Sequence, residues 1–124
     1  MNETKNYSIT KSGAVILEGG ANRGVFTAGA LDFLMEQEYY IPHVIGVSAG
    51  ACNALDYVSR QIGRTRDCMI VTDEKNRYVN KNIKTIVEKK ALLDMDMVFE
   101  RYPYEIFPFD LIRILHRRRR VSWL

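Results

Sequence analysis

Ser48 is flanked by glycines two residues away on either side, in Gly46-Val47-Ser48-Ala49-Gly50. The β-branched pair Val44-Ile45 comes before it, and the helix-compatible run Ala51-Cys52-Asn53-Ala54-Leu55 follows. A G-x-S-x-G between strand and helix signals constrains the fold strongly. The chain must turn sharply and leave one hydroxyl at the tip of the turn, and only residues without bulk fit around it. The helix that follows points its N-terminal N–H groups and positive dipole end at the same place.

A second glycine-rich segment lies upstream. The apolar run Ala14-Val15-Ile16-Leu17 leads through Glu18 into Gly19-Gly20-Ala21-Asn22-Arg23-Gly24, and Val25 to Leu34 carries a helix-compatible pattern. Small residues at Gly19, Gly20 and Ala21 let backbone N–H groups approach an anion closely. Two phosphate-binding patterns fail here. The dinucleotide fingerprint needs glycine at Ala21, and the P-loop needs a Gly-Lys-Ser/Thr that is absent. An oxyanion loop serving the downstream serine accounts for both segments together.

These paired motifs resemble the patatin-like phospholipase family, in which G-G-G-x-[KR]-G follows the first strand and G-x-S-x-G follows the next. The counterparts here are Gly19-Gly20-Ala21-Asn22-Arg23-Gly24 and Gly46-Val47-Ser48-Ala49-Gly50, with alanine at the third glycine. Gly24-Val25-Phe26-Thr27-Ala28-Gly29-Ala30-Leu31, Ala51-Cys52-Asn53 and Gln61-Ile62-Gly63-Arg64 extend the likeness toward the bacterial members. The similarity is firm over residues 14–66 and weaker to Asp110.

The resemblance implies a serine acyl hydrolase acting on lipid esters. Ser48 is then the nucleophile, Gly19, Gly20 and Ala21 form the oxyanion hole, and Arg23 and Gly24 complete the loop motif. Gly46 and Gly50 frame the elbow. It also implies an aspartate base in a downstream D-G-[GA] motif, with no histidine, metal or cofactor. No Asp-Gly dipeptide occurs in this chain; its aspartates precede Phe33, Tyr57, Cys68, Glu74, Met95, Met97 and Leu111. The chain therefore reads as the N-terminal portion of such a domain. The alternative is a catalytically silent fragment that binds lipid or protein.

Other hydrolase chemistry is weaker. Ser48, Asp94 or Asp96, and His116 fall in the α/β-hydrolase order, but His116 abuts four arginines, which disfavour an imidazolium. Cys52, one helical turn after Ser48, reads as a small buried apolar group. His43 reads as a strand-start residue. Phe99, Tyr102, Tyr104, Phe107 and Phe109, with Met95 and Met97, read as core or lid packing.

The expected fold class is α/β: a parallel sheet with flanking helices in a three-layer α/β/α arrangement, incomplete here. Strands are expected at 14–17 and 43–47. Helices are expected at 24–38, with Val25, Ala28, Gly29, Leu31 and Met35 facing the sheet, and at 48–62, stopped by Gly63. Shorter helices are expected at 64–71, 82–90 and 94–100, and Pro103 and Pro108 should interrupt regular structure. The domain reading is a flexible polar leader at 1–12, the patatin-like portion at 13–110 and a basic tail at 111–124. The tail's abrupt change in composition marks it as aberrant.

Charge is localised. Lys and Arg number 18 against 15 acidic residues, a net charge of +3; without the four arginines at 117–120 the balance becomes −1. The basicity thus belongs to a tail, and no nucleic-acid partner is expected. The expected partners are a lipid or acyl-ester substrate and the surface of a membrane. No stretch approaches the ~18 apolar residues of a membrane span. Two cysteines and the absence of an apolar leader point to the reducing cytoplasm. A partial sheet should also expose apolar surface and favour self-association.

Overall fold

The computed structural model describes residues 12–117 and 121–123. The leader expected at 1–12 falls almost entirely outside them. Two compact units emerge: residues 1–66 with 110–124, and residues 67–109.

The first unit begins with strand β1 (Ala14–Leu17), a 3-10 turn at Ala21–Arg23 and helix α1 (Gly24–Glu36). Strand β2 (His43–Gly46) and helix α2 (Ala49–Ser59) follow. Helix α3 (Arg64–Met69) starts within this unit and crosses its boundary. Helix α5 (Leu111–Arg117) and strand β3 (Val121–Trp123) complete the unit. The sheet is parallel with order β1-β2-β3. In the register, Leu17 pairs with Gly46 and Val44 with Val121. Helix α5 and β3 thus lie inside the segment read from sequence as a basic tail.

Strand alternation decides which face is covered. Leu17 and Val44 are buried on one face, while Ile16, on the other, is 74% exposed. Helices α1 and α2 both pack on the first face. Leu31 and Met35 from α1 and Ala54 and Tyr57 from α2 close the core over Leu17, Val44 and Tyr40. The described residues of this unit therefore build the sheet and one helical layer of the expected three.

Helix α1 buries Gly24, Ala28, Leu31 and Met35 at helical spacing. Gly29, expected on the sheet side, instead faces open space, with nothing within 4 Å of a built Cβ. It lies one residue off the stripe defined by Ala28 and Leu31. Helix α2 ends at Ser59, not Ile62, because Arg60 adopts a left-handed cap (φ 58°) and its N–H bonds back to Tyr57. The Arg60 guanidinium then lies 4.1 Å over the Tyr40 ring, a cation–π contact that offsets the strained backbone. Tyr57 ties the layers together: its hydroxyl donates to the Tyr39 carbonyl at 2.9 Å and accepts from the Ile41 N–H at 2.8 Å.

In the second unit, α4 (Ile83–Lys89) is capped by Asn82, whose side chain accepts from the Lys84 N–H. An antiparallel bridge joins Val79 and Leu93. A π-helical stretch, Met97–Ile106, replaces the short helix expected at 94–100 and runs through Pro103. The wider π winding relieves the clash between a proline ring and the preceding turn, so Pro103 does not interrupt it. Tyr102 is buried and stacks edge-on with Tyr78 and Phe107. Phe99 and Tyr104 are exposed, so only part of the expected aromatic cluster is core.

Candidate active site

The turn carrying Ser48 has an unusual backbone. Its φ of 54° and ψ of −122° match the first central position of a type II′ turn, and the Gly50 N–H closes that turn onto the Val47 carbonyl at 2.9 Å. Such a conformation favours glycine; a serine held there is a strained residue at the tip of a strand-to-helix turn. The following helix, α2, begins at Ala49 directly after the exposed Ser48, and the Ala51 N–H donates to the Ser48 carbonyl at 2.9 Å.

The flanking glycines are required by contact. A methyl on Gly46 would collide with the Gly50 carbonyl and lie 2.7 Å from the Ala51 nitrogen. A methyl on Gly50 would collide with the Leu17 carbonyl and lie 2.7 Å from the Glu18 oxygen. Helix α2 therefore starts directly against the end of β1. The Val47 N–H donates to the Leu17 carbonyl at 3.1 Å and extends the sheet to the elbow.

That approach brings the glycine-rich loop beside the serine. A methyl on Gly19 would lie 3.1 Å from Ser48 Cβ and 3.8 Å from its Oγ. Gly20 has φ 153°, and the Arg23 guanidinium folds back over it, with Nε 3.0 Å from a built Cβ. Arg23 thus packs on the loop, and its N–H donates to the Gly20 carbonyl at 3.0 Å. Ala21 sits at φ 47°, a left-handed conformation that glycine adopts without strain. The residues singled out in the sequence, Gly19, Gly20, Ala21, Arg23, Gly24, Gly46, Ser48 and Gly50, therefore meet at one end of the sheet.

A patatin-like phospholipase family model matches residues 15–122. The chain belongs to that family. The patatin-like match spans both glycine motifs and continues past Asp110 through α5. The chain is also 32% identical over 88 residues to the uncharacterized protein YjjU of Escherichia coli strain K12. That alignment covers 70% of this chain and 24% of the relative, so the chain spans about a quarter of that protein's length. No solved structure matches.

Among the described residues, no carboxylate or imidazole is hydrogen-bonded to Ser48 Oγ. Asp94 caps the Met97 N–H at 3.1 Å and faces Lys89 at 3.8 Å. The side chain of His116 lies outside the described residues. Cys52 is exposed, against the expectation of burial, because it lies off the inward stripe of α2 formed by Gly50, Asn53, Ala54 and Tyr57. Its thiol is nevertheless pushed up by partial desolvation and by the Asp56 carboxylate one turn away.

Three polar residues of α2 are buried, Asn53, Asp56 and Ser59, and the first two bond to other elements in a way that escaped the sequence reading. Asn53 donates from Nδ2 to the Gly24 carbonyl at 3.0 Å. Asp56 accepts from Thr65 and pairs with Arg64 at 3.2 Å. Asn53 and Asp56 occupy the buried stripe of α2, and a polar residue on such a stripe is the signal that would have flagged them. A cleft of about 370 Å³ lies at the opposite end of α2 from Ser48, between Tyr40, Arg60, Ile62 and Arg113.

Proposed function

We propose that this chain carries the nucleophile and oxyanion loop of a lipid acyl hydrolase. The observation that carries the reading is the strained II′ turn that holds Ser48 against Gly19. In this mechanism Ser48 Oγ attacks the acyl carbonyl carbon and its proton passes to a carboxylate base. The N–H groups of Gly19, Gly20 and Ala21 hold the oxyanion. Collapse of the tetrahedral intermediate expels the alcohol, and water then releases the fatty acid and regenerates the serine. Among the described residues, the Gly19 and Gly20 N–H groups donate to no loop carbonyl, which keeps them available for the oxyanion.

The substrate is a lipid ester presented at a membrane or micelle surface on the cytoplasmic side. Among the described residues no helix is long and apolar enough to cross a membrane. Fatty-acid release from phospholipid–detergent micelles tests the reading. Turnover that disappears in Ser48→Ala supports it, and equal turnover in that variant contradicts it.

A second reading rests on a separate fact. With no Asp-Gly dipeptide in the chain and, among the described residues, no base bonded to Ser48, the second reading is a lipid- or protein-binding module without catalysis. Co-sedimentation with phospholipid vesicles in the absence of fatty-acid release favours that module.

A further inference from the structure

We infer that Asn53 is a positioning residue that fixes the oxyanion loop relative to the Ser48 turn. The inference rests on the reading of Ser48 and the loop given above and adds a residue to it.

The loop has two ends, and each is tied to the nucleophile's surroundings in a different way. Its β1 end is fixed by backbone alone, through the Val47–Leu17 hydrogen bond and the close seat of Gly50 on Leu17. Its α1 end turns through Arg23 and Gly24, where N–H groups bond back within the turn, from Arg23 to Gly20 and from Gly24 to Ala21 and Asn22. Those bonds shape the turn but do not anchor it to α2. The Asn53 amide supplies that anchor by reaching from α2 to the Gly24 carbonyl at 3.0 Å. Ser48 immediately precedes α2 and Asn53 lies five residues on, within that helix, so the serine turn and the loop are coupled through one rigid element.

The environment of Asn53 argues for selection of the donor. The residue is 1% exposed, and its Oδ1 is buried without a partner among the described residues. An apolar side chain of similar shape would avoid that orphaned acceptor. A residue retained only for packing would therefore be apolar. What the amide adds is the single bond to Gly24.

The test separates loop position from stability. In Asn53→Leu, the orphan acceptor disappears, and the midpoint of unfolding stays level or rises. Exchange of the Arg23 and Gly24 amides should nevertheless accelerate about five- to tenfold, the equivalent of one hydrogen bond, while that of Val47 and Gln61 should not. Asn53→Asp provides a second variant. Burial raises its carboxyl pKa, so at low pH the protonated acid still donates to Gly24, and loop protection is lost as pH rises. Unchanged protection of Arg23 and Gly24 in Asn53→Leu overturns the inference. So does a loss spread evenly over every amide in the unit. Fluorophosphonate labelling of wild-type chain, run in parallel, judges the catalytic reading separately: if Ser48 does not label, that reading fails while amide exchange still decides the role of Asn53.

Discussion

At the scale of the residue, Ser48 holds a backbone conformation that costs stability. Its φ and ψ belong to glycine, and a serine there costs about 1–3 kcal/mol. Ser48→Gly should accordingly raise stability by ~1 kcal/mol, while Ser48→Ala, still strained, should leave it nearly unchanged. Urea midpoints of the three proteins check this ordering. Ala21 carries a smaller strain of the same kind at φ 47°. The sequence showed the glycines clearly, because a Cβ at Gly46 or Gly50 has nowhere to go. It did not show that Cys52 faces outward, since the periodicity of α2 is blurred by Asn53 and Asp56 within its buried stripe. Polar residues within a buried stripe leave no trace in apolar periodicity, although these two hold α2 to α1 and α3.

At the scale of the element, the junction of α2 and α3 carries a titratable group. Asp56 on α2 is buried and faces Arg64 and Thr65 on α3, Asp32 on α1 and Cys52 on its own helix. Burial outweighs the ion pair and hydrogen bonds, and its carboxyl is raised to about 6 from an ordinary value of 3.8. Because the native value is raised, the native state holds the extra proton between those limits. The contribution of Asp56 to stability is full below pH 3.8 and is lost as pH rises through about 6, by up to ~3 kcal/mol. Urea midpoints between pH 4 and 7 should show this decline relative to Asp56→Asn, in which that component is absent. The strands at 14–17 and 43–46 were legible from their β-branched runs, and α1 from its helical stripe. The π-helical stretch was not, because proline normally reads as a break and a wider winding leaves no pattern of its own.

At the scale of the whole molecule, half of the sheet's covering is missing from the described residues. Ile16 on β1 is 74% exposed, and Phe26 and Phe33 on α1 are exposed at 85% and 59%. Apolar groups so exposed on an edge strand and its neighbouring helix favour association. The chain should therefore self-associate with increasing concentration, and Ile16→Lys should shift sedimentation toward the monomer. The α/β class was legible from the order of strand, helix, strand and helix. The entry of β3 was not, because Val121–Trp123 sits behind an arginine run that reads as a solvated tail. The central claim is that Ser48 is a nucleophile poised against the Gly19 loop. Fluorophosphonate labelling of the 124-residue chain, read by intact mass with Ser48→Ala beside it, tests this most directly. The account predicts a single adduct at Ser48, forming roughly 10²–10⁴-fold more slowly than on a serine hydrolase with its base in place, and no adduct in Ser48→Ala. No adduct on folded wild-type protein, or one that persists in Ser48→Ala, would contradict it.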